Sequence, residues 1–268
     1  RLGYLRELEA RRAAILQSID SQGKLTSDLS AQIARVMTKS ELEDIYLPYK
    51  PKRRTKAEIA RERGLEPLAE TLFENRALTP LTEAEKYLSD DVPDTKMALE
   101  GARDILAERF AEDAELIGRL RDYMERKAIL RARVIDGKQE LGAKFSDYFD
   151  HAEAWSKVPS HRALAMLRGR NEEVLAVDLE LDADAEGKYK PAETMVAAHF
   201  GIRADGGVAD QWLMDVARWS WRVKLWLHLS VDLMGRLRER AEDEAITVFA
   251  RNLKDLLLAA PAGNRATM

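Results

Sequence analysis

The amino-acid sequence predicts a mainly α-helical protein, a multi-helix scaffold with long C-terminal helices, and a small β element is expected near residues 132–190. Three observations carry this. Eight prolines and fourteen glycines in 268 residues favour long helices over many turns. Apolar side chains recur at spacings of three and four, as in Ala98, Ala102, Ile105, Leu106 and Phe110, then Ile117, Leu120, Met124 and Ala128. Residues 208–260 contain no proline and a single glycine, Gly235.

Taken in order, Leu2, Leu5, Leu8 and Ile15 set an amphipathic helix to about residue 20, its charged face carrying Arg6, Glu7, Glu9, Arg11 and Arg12. Gly23 breaks it, and Thr26 caps a second helix through Ile33 and Val36. Thr38 and Glu41 form a capping-box pattern for a third, which ends before Pro48. Thr55 and Glu58 open a short helix from Lys56 that Gly64 closes. Pro67 starts another through Leu68 and Leu72, and Thr82 with Glu85 repeats the cap pattern around Tyr87. Asp94 or Thr95 opens the helix of Ala98 to Phe110. Residues 132–135 fit a short strand or an extended segment, and 142–150 an aromatic loop. Pro159 and Ser160 begin a helix that Gly169 ends. Residues 174–181 alternate as a strand, with Leu175, Val177 and Leu179 on one side and no obvious partner strand. Pro191 and Gly201 frame a helix over 191–200. Beyond Gly206 and Gly207 comes one very long helix, broken near Gly235 or Ala241, and a second that ends before Pro261. This divides the chain into an N-terminal helical region, 1–130, and a central helical scaffold, 131–268.

The formal net charge is −4, so any contact with nucleic acid must come from a local patch. The absence of cysteine excludes disulfides and thiolate metal sites, and fits a reducing cytoplasm. No run approaches the ~20 apolar residues of a membrane span.

The densest positive charge is Lys50, Lys52, Arg53, Arg54 and Lys56, in a loop that runs into a helix start. Cations and free N–H groups there suit phosphate. The other reading pairs these cations with Glu41, Glu43 and Asp44 of the preceding helix. Tyr46, at helical spacing from Leu42, reads as a core anchor; Tyr49 is either an anchor or a surface on which a base stacks. Arg168 and Arg170 suit the C-terminus of their helix, with phosphate contact as the second reading. Trp212, Trp219 and Trp226 are seven apart and form one stripe, read as core or a buried seam, with Trp221 off it. Glu242, Asp243 and Glu244 read as an acidic first helical turn in preference to a Mg²⁺ site. His151, His161, His199 and His228 have no metal-ligand spacing, and no phosphate-binding, dinucleotide or nucleophile-elbow motif is present. No catalytic residue and no cofactor is indicated.

The basic stretch LEDIYLPYKPKRRTKAEIARERGLEPLA resembles the signature of the Tex family of bacterial transcription accessory proteins. GAKFSDYFDHAE, PSHRALAMLRGRNEEVL and AEDEAITVFARNLKDLLLAAPAG agree with that family, in its order. The resemblance implies a non-enzymatic nucleic-acid-binding scaffold in transcription or RNA metabolism, with a helix-turn-helix-like unit in its N-terminal helices. It also implies a longer protein, cut at both ends here, whose RNase H-like, helix-hairpin-helix and OB-type domains are the expected partners along with the transcription machinery. A protein-interaction module without nucleic-acid contact is the alternative. A nuclease would need acidic ligands beyond Met268.

Overall fold

Side-chain caps begin most of the helices in the first half of the chain. A computed structural model of the protein describes residues 2–50, 54–183 and 185–259. Thr26, Thr38, Thr55 and Asp94 each accept the backbone N–H three residues on, satisfying one of the donors a helix start leaves unpaired. They open α2 (Ser27–Arg35), α3 (Lys39–Tyr46), α4 (Lys56–Glu62) and α7 (Thr95–Ala111). α1 (Leu2–Ser21) precedes them, and α5 (Glu66–Glu74) and α6 (Pro80–Ala84) lie between α4 and α7. Thr79 and Pro80 start α6, so Thr82 is inside that helix and not its cap. α8 (Ala114–Lys127) follows α7.

The chain forms two compact units, Arg1–Asp122 with Asp184–Leu229, and Tyr123–Ala183 with Ser230–Met268. In the first, α1 to α3 bury Leu8, Ile15, Ile19, Ile33, Leu42 and Ile45 as one cluster. A second core forms around α7, whose Ala98, Ala102, Leu106 and Phe110 are buried as the spacing predicts. Phe110 stacks on Phe200 with ring centroids 4.0 Å apart, and Phe73 leans on both. α10 (Pro191–His199) and α11 (Val208–Ser220) complete the unit. Gly201 ends α10 at φ +64. Gly207 is required for a different reason: a Cβ there would lie 2.1 Å from the Arg76 carbonyl oxygen.

Six charged side chains are buried in this unit with partners among the described residues. Arg121 donates to Asp44 at 2.7 Å, both nearly fully buried. Glu193, also buried, accepts from Arg222 at 2.8 Å and from the Lys190 backbone at 3.0 Å. Glu83 meets Lys86 at 2.7 Å, Asp210 meets Arg76 at 3.5 Å, and Glu108 is the last of the six.

The second unit holds a three-stranded antiparallel sheet, ordered β2 (Asp150–Ala154), β1 (Ile129–Val134), β3 (Leu175–Glu180). The partner of the alternating segment is therefore β1, and a third strand lies at the end of the expected aromatic loop, most of which is a 3-10 turn over Ala143–Tyr148. β2 escapes the sequence pattern because its short run, DHAEA, is too polar to alternate visibly. Leu175, Val177 and Leu179 are buried against α9 (Ser160–Asn171). Gly169 lies within α9, not at its end; it leaves room for Leu175, whose methyl would be 2.5 Å from a Cβ. Glu173, at φ +56, supplies the left-handed residue instead. Arg240 covers the Trp155 ring and donates to its carbonyl, while the indole N–H donates to the Leu233 carbonyl at 3.2 Å.

Tyr123 donates to Asp182 at 2.5 Å, and burial together with that bond pushes the phenol up to about 12. A phenol raised above its ordinary value adds stability that is whole below about pH 10 and is lost as pH climbs towards 12. Denaturant titrations over that window are expected to show a steeper alkaline loss for the native chain than for Tyr123→Phe. Parallel curves would remove this bond from the account.

Residues 208–258 stay helical throughout, without the expected break at Gly235 or Ala241. The irregularity lies earlier, in a π turn over Trp221–Leu225, after which α12 (Trp226–Leu258) continues. Leu225, Leu229, Leu233, Leu237 and Ala241 are all fully buried at intervals of four, and this packing outweighs the roughly 1 kcal/mol that Gly235 costs. The π turn inserts extra backbone between Trp219 and Trp226, so a spacing of seven no longer means one face. Of the four tryptophans in this stretch Trp221 is buried, at 7% exposure, while Trp212, Trp219 and Trp226 are only half-buried. This reverses the expected stripe. Glu242, Asp243 and Glu244 are mid-helix in α12, not at a first turn; Glu242 takes Arg238 at 2.7 Å and Glu244 accepts from the Ser160 hydroxyl. No described helix is long and apolar enough to cross a membrane.

Candidate nucleic-acid interface

α3 delivers the chain to the basic loop through a 3-10 turn, Leu47–Tyr49. Two tyrosines anchor that approach. Tyr46 is buried, its hydroxyl 2.8 Å from that of Ser18. Tyr49 is half-buried against the first core cluster, and its carbonyl accepts from Gln22 at 2.8 Å. Lys50 then points into solvent. Lys52 and Arg53 lie outside the described residues. Arg54, exposed, donates to Glu62 at 2.5 Å, which holds its guanidinium pKa above the ordinary value. Lys56 is exposed at the start of α4.

Two of the three acids offered by the preceding helix are committed elsewhere, and Glu41 is exposed and makes no ion pair among the described residues. Glu43 takes Arg11 through two bonds of 2.5 and 3.0 Å, and Asp44 takes Arg121. Neither Lys50 nor Lys56 makes an ion pair among the described residues, and Arg54 has one exposed partner of small energetic weight. α4 has only seven residues, and the Glu58 N–H at its start is already bonded to Thr55. The charge of the stretch therefore resides in its side chains.

Sequence reasoning did not find Glu108, which holds this stretch in place. It is 3% exposed on α7. It accepts from the Thr55 hydroxyl at 3.1 Å and from Arg61 at 2.8 Å, and the Lys224 ammonium is 3.9 Å away. One buried carboxylate thus fixes the cap of α4, a cation of α4 and a cation of the π turn. The signal was present only as an acid on the apolar side of α7, between Ala107 and Arg109.

Arg168 and Arg170 belong to the second unit. Arg168 donates to Glu172 at 2.8 Å, and Lys144 meets the same carboxylate at 2.5 Å, so Glu172 is held below the usual carboxylate range. Arg170 is exposed and makes no ion pair among the described residues. Of the histidines, His199 meets Asp113 at 3.1 Å and His228 meets Asp44 at 3.5 Å. No group of acids and histidines with metal-holding geometry occurs among the described residues.

Fold and geometry define the class as a mainly helical protein with a small antiparallel sheet and an anchored approach to a cationic stretch. The comparisons narrow that class. Residues 75–249 match the family model described as Tex central region-like, and the chain belongs to that family. It is 57% identical to Protein YhgF of Escherichia coli and 52% identical to the Transcriptional accessory protein Tex of Neisseria gonorrhoeae, in each case over all of this chain and 35% of the relative. It is 26% identical to the human S1 RNA-binding domain-containing protein 1, over all of this chain and 27% of that protein. The chain thus spans about a third of the length of the curated bacterial relatives it matches.

Proposed function

We propose that this chain is a nucleic-acid-contacting scaffold of a transcription-related protein, with the stretch Lys50, Lys52, Arg53, Arg54 and Lys56 as its contact. The observation that supports this most is the engagement of Glu43 and Asp44 elsewhere, which leaves Lys50 and Lys56 without carboxylates among the described residues. The names of the relatives, a transcriptional accessory protein and an RNA-binding-domain protein, point the same way. Arg168 and Arg170 are auxiliary contacts in this reading, and Tyr49 steadies the loop. The role is binding and architecture, without catalysis, in the cytoplasm. The helix-turn-helix-like unit of the N-terminal helices belongs to the same reading.

The test is fluorescence anisotropy of the chain with single- and double-stranded RNA and DNA at several salt concentrations, with a variant carrying alanine at the five loop positions. Contact with about three to five phosphates gives a log–log salt slope of roughly −2 to −4. The variant is expected to flatten that slope and weaken binding alike for all sequences. An unchanged slope would sink the proposal.

The second reading, a protein-docking module, has its own observation. Beyond Ala241, α12 is exposed to its described end, and Ile246, Phe249, Leu253 and Leu256 repeat at intervals of three and four as a bare apolar seam. In the scaffold reading this seam carries further domains of the longer protein.

A further inference from the structure

α4 is seven residues long, too short to hold its shape alone, and the side chains it buries are Ala57 and Ala60. Little apolar area therefore fixes the helix that follows Arg54 and carries Lys56. Polar ties do more. Glu108, 3% exposed on α7, accepts from the Thr55 hydroxyl at 3.1 Å and from Arg61 at 2.8 Å. One carboxylate thus grips the cap of α4 and a side chain of its last turn. Lys224, from the π turn, brings a third element within 3.9 Å of the same carboxylate. Thr55 lies between Arg54 and Lys56, both exposed, and its hydroxyl also accepts the Glu58 N–H.

Glu108 bears the same sign of charge as a phosphate, and it sits under the described end of the cationic stretch. By charge alone it opposes a phosphate contact there, and neutralising it would tighten binding. We infer that Glu108 is instead a positioning residue that raises affinity for nucleic acid. It touches no ligand. It holds Thr55 and Arg61, and with them the backbone on which Arg54 and Lys56 are mounted. A cation on a fixed backbone loses less freedom when it meets a phosphate, and that saving appears as affinity. This rests on the loop reading above and adds to it a buried acid, a residue that composition would count against binding. Charge and positioning give opposite signs for one substitution.

The experiment titrates the intact chain, Glu108→Gln, Thr55→Val and Thr55→Ser against a labelled oligouridylate and a labelled duplex DNA, by fluorescence anisotropy at several salt concentrations. Glutamine keeps the shape of the side chain and removes its charge. Serine keeps the hydroxyl that valine lacks. Near-UV circular dichroism and thermal unfolding check that each variant is folded where binding is read, and Thr55→Val carries the test if Glu108→Gln does not fold. Glu108→Gln and Thr55→Val are each expected to bind about 3- to 10-fold more weakly. Their salt slopes are expected to stay unchanged, since no phosphate contact is lost. Thr55→Ser is expected to bind like the intact chain. Tighter binding by Glu108→Gln would overturn the inference and leave the loop reading standing, because the acid would then act through its charge. Unchanged affinity in folded variants would overturn it as well, and would reduce Glu108 to a stabiliser of the fold. Weaker binding with a flatter slope would also overturn it, by showing a lost phosphate contact in place of lost order. Absence of salt-dependent binding by the intact chain would remove both readings.

Discussion

Asp44→Ala is expected to lower the unfolding free energy of the first unit by about 3–5 kcal/mol, read by denaturant titration. Asp44 and Arg121 are 3% and 4% exposed, and 2.7 Å separates carboxylate from guanidinium. An ion pair this deep is held by mutual need. Both charges lost most of their hydration on folding, and each restores part of it to the other. Removing one partner withdraws that compensation and keeps the cost of the charge left behind. Converting both residues to leucine is expected to cost less than Asp44→Ala alone, because no charge is then left in the interior. A double variant no better than the single one would show that Arg121 is satisfied mainly by other groups.

Phe110→Ala is expected to cost about 3–5 kcal/mol in the same unit. Phe110 is fully buried on α7, stacked on Phe200 at 4.0 Å and 16°, and 5.9 Å from Phe73. Truncation removes the transferred apolar area and leaves a cavity that three surrounding helices cannot fill. At about 2–4 °C per kcal/mol for a unit of this size, the midpoint should fall by roughly 6–20 °C. Phe110→Leu, which keeps most of the volume, is expected to lose much less. Equal losses for the two variants would mean that the stacked geometry, and not the volume, holds the cluster.

Local chemistry is what the sequence displays well. Thr26, Thr38, Thr55 and Asp94 cap the helices they were expected to cap, and the spacing through Ala98 and Phe110 named a buried face correctly, because both signals operate within a few residues. Features set by distant neighbours were hidden. The role of Gly169 depends on Leu175 reaching over it, and β2 depends on β1 to pair with it. The tryptophan stripe failed because a spacing of seven assumes uninterrupted α geometry, which the π turn at Trp221–Leu225 removes.

The cationic loop was legible as composition, since five charges within seven residues need no structure to be noticed. That Lys50 and Lys56 make no ion pair among the described residues was not, because Glu43 and Asp44 lie near in sequence and are claimed by Arg11 and Arg121, 32 and 77 residues away. Glu108 was hidden for the same reason: Thr55, Arg61 and Lys224, distant in sequence, are among its contacts.

The packing of α12 gives the helix a phase. Each residue turns an α-helix by about 100°, so a step of four overshoots a full turn by roughly 40°. The covered side, marked by Leu225, Leu229, Leu233, Leu237 and Ala241, therefore winds round the rod like a screw thread. No side chain of the helix after Ala241 is buried among the described residues, yet the seam of Ile246, Phe249 and Leu253 inherits its angle from the gripped part. A single residue inserted just beyond Ala241 would leave the buried apolar side up to Ala241 in place, turn Glu244 away from Ser160, and swing that seam by about 100°. In this helix, length and aim are one variable, and the chain sets both by counting residues.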